Sequence, residues 1–225
     1  MASSSTFLSA SITKKQLVAL TGLLLSGFLV THLAGNLLIL VGHEVFNKYA
    51  YNLTSTPLIY VAEAILLAIF LTHIFLAVKL NYENNRARPQ KYYIKQKTGR
   101  GSTFASSTMP YTGTLVLIFL VFHILHIKFG PTYTITYQGQ EMRDLHRTVI
   151  EYFQNPLAVT WYIFSMVVLG IHLSHGFWSA FQSIGFNHDL YTPRLRKLSF
   201  LFAAAITFGF SVLPLYSYFQ GGFSS

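Results

Sequence analysis

Six of the nine histidines, His32, His73, His123, His126, His172 and His175, lie in stretches almost without charge. Ionisable side chains are costly inside a bilayer, and those that persist there mark ligand, cofactor or proton sites. The chemistry open to such a set is axial ligation of iron or proton transfer. There is no cysteine, which removes disulfides, thiolate-held iron–sulfur clusters and covalent haem attachment through Cys-x-x-Cys-His. A haem on this chain must therefore be held by histidine or methionine.

The surroundings of these histidines are membrane-like. Of 225 residues, 52% are hydrophobic and 10% are charged, against about 25% charged in soluble domains. The apolar residues fall into five blocks, at about 16–41, 58–80, 109–129, 156–184 and 196–219. Each is long enough for the ~20 helical residues that cross a bilayer. Segments in lipid must satisfy their own backbone polar groups, so these blocks predict helices. Pro57, Pro110, Pro156 and Pro193 stand at or just before the starts of four of them, where a missing N–H costs nothing. The expected fold is an all-α membrane protein of five transmembrane helices, four of them forming a bundle that binds two haems. It makes a single membrane domain over 1–225, with no sequence repeat and no second domain.

The net charge of +9 would suit a phosphate-rich partner in a soluble chain, but the charges lie between the apolar blocks. They read as topology signals and contacts for anionic lipid headgroups or a protein partner, with no role in nucleic-acid binding. Twelve Lys and Arg fall on one side, including Lys79, Arg86, Arg88, Lys91, Lys95, Lys97 and Arg100 between the second and third blocks; only Lys48, Lys128, Arg143 and Arg147 fall on the other. Positive residues stay cytoplasmic, which places the amino terminus inside and the carboxyl terminus outside. Met1 to Thr13 is expected to be a retained cytoplasmic tail, and the basic loop from Asn81 to Ser107 a docking surface.

Depth then sorts the histidines. At ~1.5 Å per residue, His32 lies about 25 Å beyond Lys15, in the outer half. His123, thirteen residues past Pro110 and five before Lys128, joins it. His73 and His172, on inward-running helices, each follow the proline that opens their block by sixteen residues and reach the inner half. Two pairs result, His32 with His123 and His73 with His172. Imidazoles from facing helices at one level are what a six-coordinate haem b requires, and filling both axial positions leaves electron transfer as its work. The fifth block holds no histidine, so its helix is expected to be peripheral. Ala34, Gly35, Ala77, Gly113, Gly170 and Gly176 leave room near the ligands for a flat ring or a close helix.

The first block, Leu17-Val18-Ala19-Leu20-Thr21-Gly22 running to Thr31-His32-Leu33-Ala34-Gly35-Asn36, resembles the opening of the dihaem cytochrome b subunit of succinate dehydrogenases and fumarate reductases. His73 before a basic loop, Thr112-Gly113 ahead of His123, and His172-Leu173-Ser174-His175-Gly176-Phe177-Trp178 follow in the family's order. The resemblance spans nearly the whole chain. It implies a subunit of the bacterial inner membrane that anchors a flavoprotein subunit and an iron–sulfur subunit on the cytoplasmic side. Electrons would pass through haem held by His73 and His172 and haem held by His32 and His123, to or from menaquinone or another quinone.

His126 and His175 each follow a proposed ligand by three residues, and spacing alone leaves them open as substitute ligands, propionate partners or proton carriers. Glu44, beside His43 past the outer end of the first block, and Glu63, the one carboxylate within a block, are candidates for proton exchange with a quinone; each also suits a solvated or anchoring role. His146 and His188 read as loop residues. Two rival classes remain, a histidine-rich membrane di-iron oxidase or desaturase and an ion transporter lined by His126, His175 and Glu63. Neither accounts for four ligand-like positions on four consecutive helices.

Overall fold

A computed structural model of the chain describes residues 11–86 and 104–221; residues 1–10 of the expected tail and most of the expected docking loop lie outside them. Among the described residues five helices are long and apolar enough to span a membrane. They are α1 (Ser11–Leu37, extended by a tight turn over Leu38–Leu40), α3 (Leu58–Arg86), α4 (Phe104–His123, continued by a wide turn over Ile124–Lys128), α6 (Pro156–Ser183) and α7 (Thr192–Gly221). Between them lie α2 (His43–Thr54), a hairpin of β1 (Thr134–Tyr137) and β2 (Gln140–Arg143), and α5 (Leu145–Tyr152).

Local chemistry sets several of these boundaries. Asn155 caps α6 by accepting from Leu157 N–H at 2.9 Å, with Pro156 next in the first turn. Asp144 caps α5 through Arg147 N–H at 3.0 Å. The hairpin turns at Gln138 and Gly139, both with positive φ (53° and 81°), as a two-residue turn between antiparallel strands requires. Three expected starts move, the fifth from 196 to Thr192 among them. The first spanning helix begins at Ser11 rather than near 16, and Pro110 sits inside α4 rather than at its start. Membrane helices tolerate such a proline because neighbouring groups take up the freed carbonyl.

The bundle is built around α6, which packs against α7, α4 and α1. Its central apolar window is half buried, whereas none of the corresponding window of α3 is buried. Two clusters fill the interior. One gathers Ile39, Phe46, Val149, Phe153, Val159, Tyr162 and Leu213; the other gathers Met166, Leu169, Leu173, Ala203 and Ile206. Leu58, Leu67, Leu71, Phe75, Leu198 and Phe208 face outward, as lipid-facing positions do. The fifth spanning helix is not the peripheral one. α7 lies along α6 so closely that a side chain at Gly170 would strike Thr207, and one at Gly209 would strike Leu33 of α1. The outlying spanning helix is α3, which rests chiefly on α1.

One end of the bundle carries a cap made of α2, the hairpin and α5, tied together by Asp144. Its buried carboxylate accepts from Asn47 Nδ2 at 2.9 Å and from His43 Nε2 at 3.0 Å, while Tyr137 and His43 Nδ1 are joined at 2.7 Å. Asn47 in turn accepts from His146 N–H at 2.9 Å. The sequence showed only loops here, because the segments are short and their partners are about a hundred residues apart.

Candidate functional site

The four histidines assigned by depth face the bundle interior in two layers. Nearer the cap, His32 of α1 and His123 of α4 meet with ring centroids 5.9 Å apart and planes nearly perpendicular. Two metal–imidazole bonds of about 2 Å each, with a ring radius of about 1 Å at either end, place the centroids of a bis-imidazole site about 6 Å apart. The observed separation matches. Aromatic rings enclose the pair. Phe28 stacks on His32 at 5.1 Å, Phe119 stacks on His123 at 5.6 Å, and Phe210 of α7 approaches His32 at 5.7 Å. Tyr162 OH lies 3.2 Å from His123 Nδ1.

Farther from the cap, His73 of α3 and His172 of α6 lie within electrostatic reach of each other. Each is held by the helix that precedes it in the bundle. Thr21 of α1 donates its hydroxyl proton to Leu17 O at 2.7 Å, and its oxygen lies 3.1 Å from His73 Nδ1. The same Nδ1 lies 3.2 Å from Val18 O, which can only accept, so Nδ1 carries the proton and Nε2 keeps its lone pair. Thr112 of α4 repeats the arrangement, 3.1 Å from Met109 O and 3.1 Å from His172 Nδ1. Beside each threonine is a glycine whose missing side chain leaves room for the imidazole. An added Cβ at Gly22 would meet His73 Cε1 at 3.2 Å, and one at Gly113 would meet His172 Cε1 at 3.4 Å.

These contacts bring out a repeat of which the sequence alone showed only the proline-to-histidine half. Thr21-Gly22 precedes His32 by the interval at which Thr112-Gly113 precedes His123, eleven residues from threonine to histidine, and Pro57 precedes His73 as Pro156 precedes His172, by sixteen. The signal was present in the chain, but it is only two residue types per helix. It becomes visible once the helices are in register.

The other candidates take different places. His126 lies within the wide turn Ile124–Lys128 and is exposed. Its Nδ1 donates to Phe122 O at 2.7 Å, and its ring packs 5.1 Å from Tyr152. A 210 Å³ cavity opens beside it, lined by Pro131, Tyr133, Thr148, Glu151 and Tyr152. His175 turns toward the end opposite the cap, edge-on to Trp178 at 5.3 Å, with Arg196 stacked over the same indole at 4.5 Å. Glu44 pairs with Lys48 at 2.6 Å and Glu63 with Lys128 at 2.5 Å, all four half exposed. His188 is exposed, while His146 is half buried 4.6 Å from the His43 ring.

In the cap, burial pushes the Asp144 carboxyl up, but hydrogen bonds from Arg147 N–H, Asn47 and His43 together outweigh it and hold it below the ordinary aspartate value. His146 is held low by burial and then by the charge of His43.

Among the described residues no three His, Asp or Glu side chains converge on a possible metal position, whereas a haem axial site needs two imidazoles on opposite sides. The separation of His32 and His123 fits that requirement. The outer rings stand at the right separation, at least one inner imidazole is fixed in the tautomer that presents Nε2, and Gly22 and Gly113 supply cradles beside the inner pair. No family model, curated protein or solved structure matches the chain.

Proposed function

We propose that this chain is the membrane-anchor cytochrome b subunit of a succinate:quinone oxidoreductase, either a succinate dehydrogenase or a quinol:fumarate reductase. The observation that carries the reading is the pairing of four interior histidines in two layers, one histidine from each of four spanning helices. When bound, two haems b supply one-electron carriage across the hydrocarbon between an iron–sulfur subunit and a quinone, menaquinone among the candidates.

The chain's own residues do the holding. His32 and His123 are the ligands of the layer near the cap, and His73 and His172 those of the other layer. Phe28, Phe119 and Phe210 fix the ring planes of the first pair by packing; Thr21 and Val18 fix His73 by hydrogen bonds. The excess of Lys and Arg on the side away from the cap supports a cytoplasmic position for that side. There the chain would meet its flavoprotein and iron–sulfur partners, and the cap would face outward. The dicarboxylate chemistry belongs to the partner subunits.

The test is a reduced-minus-oxidised absorption spectrum of the purified chain, together with succinate- or fumarate-linked quinone turnover of membranes with and without it. A low-spin b-type signal, and turnover that disappears when the chain is deleted, are the expected results. Non-haem iron without haem would support the di-iron class instead, and a chain with neither would overturn both.

A further inference from the structure

The layer away from the cap has a second set of residues that packing alone does not call for. Threonines in apolar helices commonly return their hydroxyl proton to a carbonyl three or four residues back, and many here do so. Thr114 bonds Pro110 O, Thr72 bonds Ala68 O, and Thr160 bonds Pro156 O, all on exposed faces. Thr21 and Thr112 differ. Each is buried, each has spent its proton on its own helix, and each then meets an imidazole Nδ1 from the next spanning helix at 3.1 Å.

A hydroxyl whose proton is committed can only accept, so its histidine must donate from Nδ1. For His73 the carbonyl of Val18 enforces the same state independently. The arrangement occurs twice, with the same Thr-Gly dipeptide at the same distance before an outer-layer histidine. A chance packing contact has no reason to recur in register on both halves. The repeat also assigns roles. α1 with α3 and α4 with α6 form equivalent helix pairs; each pair gives one histidine to each layer and props its own inner histidine with its own Thr-Gly.

We propose that Thr21 and Thr112 are positioning residues of the inner haem centre, each holding a ligand imidazole in the tautomer and orientation that present Nε2 to iron. This rests on the haem-binding reading above. Groups that accept from the outer nitrogen of a metal-bound histidine raise its basicity, and losing one typically weakens metal binding about 10–100-fold. A less basic imidazole stabilises ferric iron less, so the inner centre's midpoint potential rises when the acceptor is removed.

The test is a redox titration and a haem-retention assay on the full-length chain carrying T21V, T112V, T21S, T112S or T114V. In both valine variants the inner component is expected to move to higher potential and to lose haem at about 10–100-fold lower competing-ligand concentration, while the outer component stays in place and reports that the bundle is assembled. The serine variants keep the hydroxyl and restore the wild-type inner component; T114V changes neither component. Should a valine variant lose both components through misfolding, T112A and T21A in the presence of excess haem decide the matter by the same two readouts. Valine or alanine variants whose inner potential and haem retention equal those of wild type would overturn the positioning role while leaving the haem reading intact. A wild-type chain without haem would overturn the haem reading itself.

Discussion

The two histidine layers hold their imidazoles by different means. The layer near the cap is fixed by aromatic packing, with phenylalanines from three helices and Tyr162 closing around His32 and His123. The other is held by hydrogen bonds between imidazole Nδ1 and threonine hydroxyls that sit beside glycines, and the supporting groups come in duplicate. Packing in lipid is driven by shape, since the tails are as apolar as the side chains, whereas a buried hydroxyl–imidazole contact is directional and specifies a proton position. The packed layer should therefore tolerate small changes of volume and the bonded layer should not tolerate loss of a single oxygen.

The strongest way to break the comparison is to remove one ligand from each layer. H123A is expected to abolish the outer haem and H172A the inner one, each leaving the other at full occupancy, as haem-to-protein ratios will show. A single substitution that emptied both layers would mean that they are not independent sites.

Next in size is the cap, which covers only the packed layer. D144A leaves Asn47, His43 and the first turn of α5 without their acceptor, a loss of about 2–3 kcal/mol in cap stability, seen as faster proteolysis between α1 and α6. The pH dependence has a definite sign. Because the carboxyl of Asp144 is held below its unfolded value, near about 3.9, its contribution is fully present above that pH. It is lost as pH falls through the lower, folded value. Cap opening measured against pH should accelerate only on the acid side of that window, and D144N should flatten the response.

A smaller effect is expected at Phe119, which stacks on His123 and meets Tyr162 edge-on at 5.0 Å. F119A should cost about 1–2 kcal/mol, given ~0.5–1.5 kcal/mol per aromatic pair. It should broaden the outer haem's spectrum without emptying the site, and thermal melting followed in the haem band will register it. The smallest effect belongs to Glu63. E63Q breaks a half-exposed pair with Lys128, worth less than about 1 kcal/mol, and should leave both haem potentials unchanged. A large change in quinone turnover in that variant would restore Glu63 as a proton carrier and blur the distinction between cap-side surface and interior layer.

Much of this was legible in the chain because hydrophobic blocks and histidine depth are one-dimensional signals. The five spans follow from counting residues along helices, and the same counting brings His32 and His123 together as a pair, as the structure does. The cap was not legible, since α2 and α5 are short and their hold on each other runs through Asp144 and Asn47, contacts that no local pattern announces. The wide turn after His123 was equally hidden, and within it the His126 ring packs against Tyr152. Phe210 was missed for a different reason. The fifth helix carries no histidine and so gives no ligand signal, but aromatic packing needs none.

The central claim is that two interior imidazole pairs each hold one haem, and the most direct measurement is the haem b content of the purified full-length chain by pyridine haemochrome, set against its protein concentration. Two haems per chain are expected, falling to one in H123A and to one in H172A. A wild-type ratio of zero, or a ratio unmoved by either substitution, would contradict it.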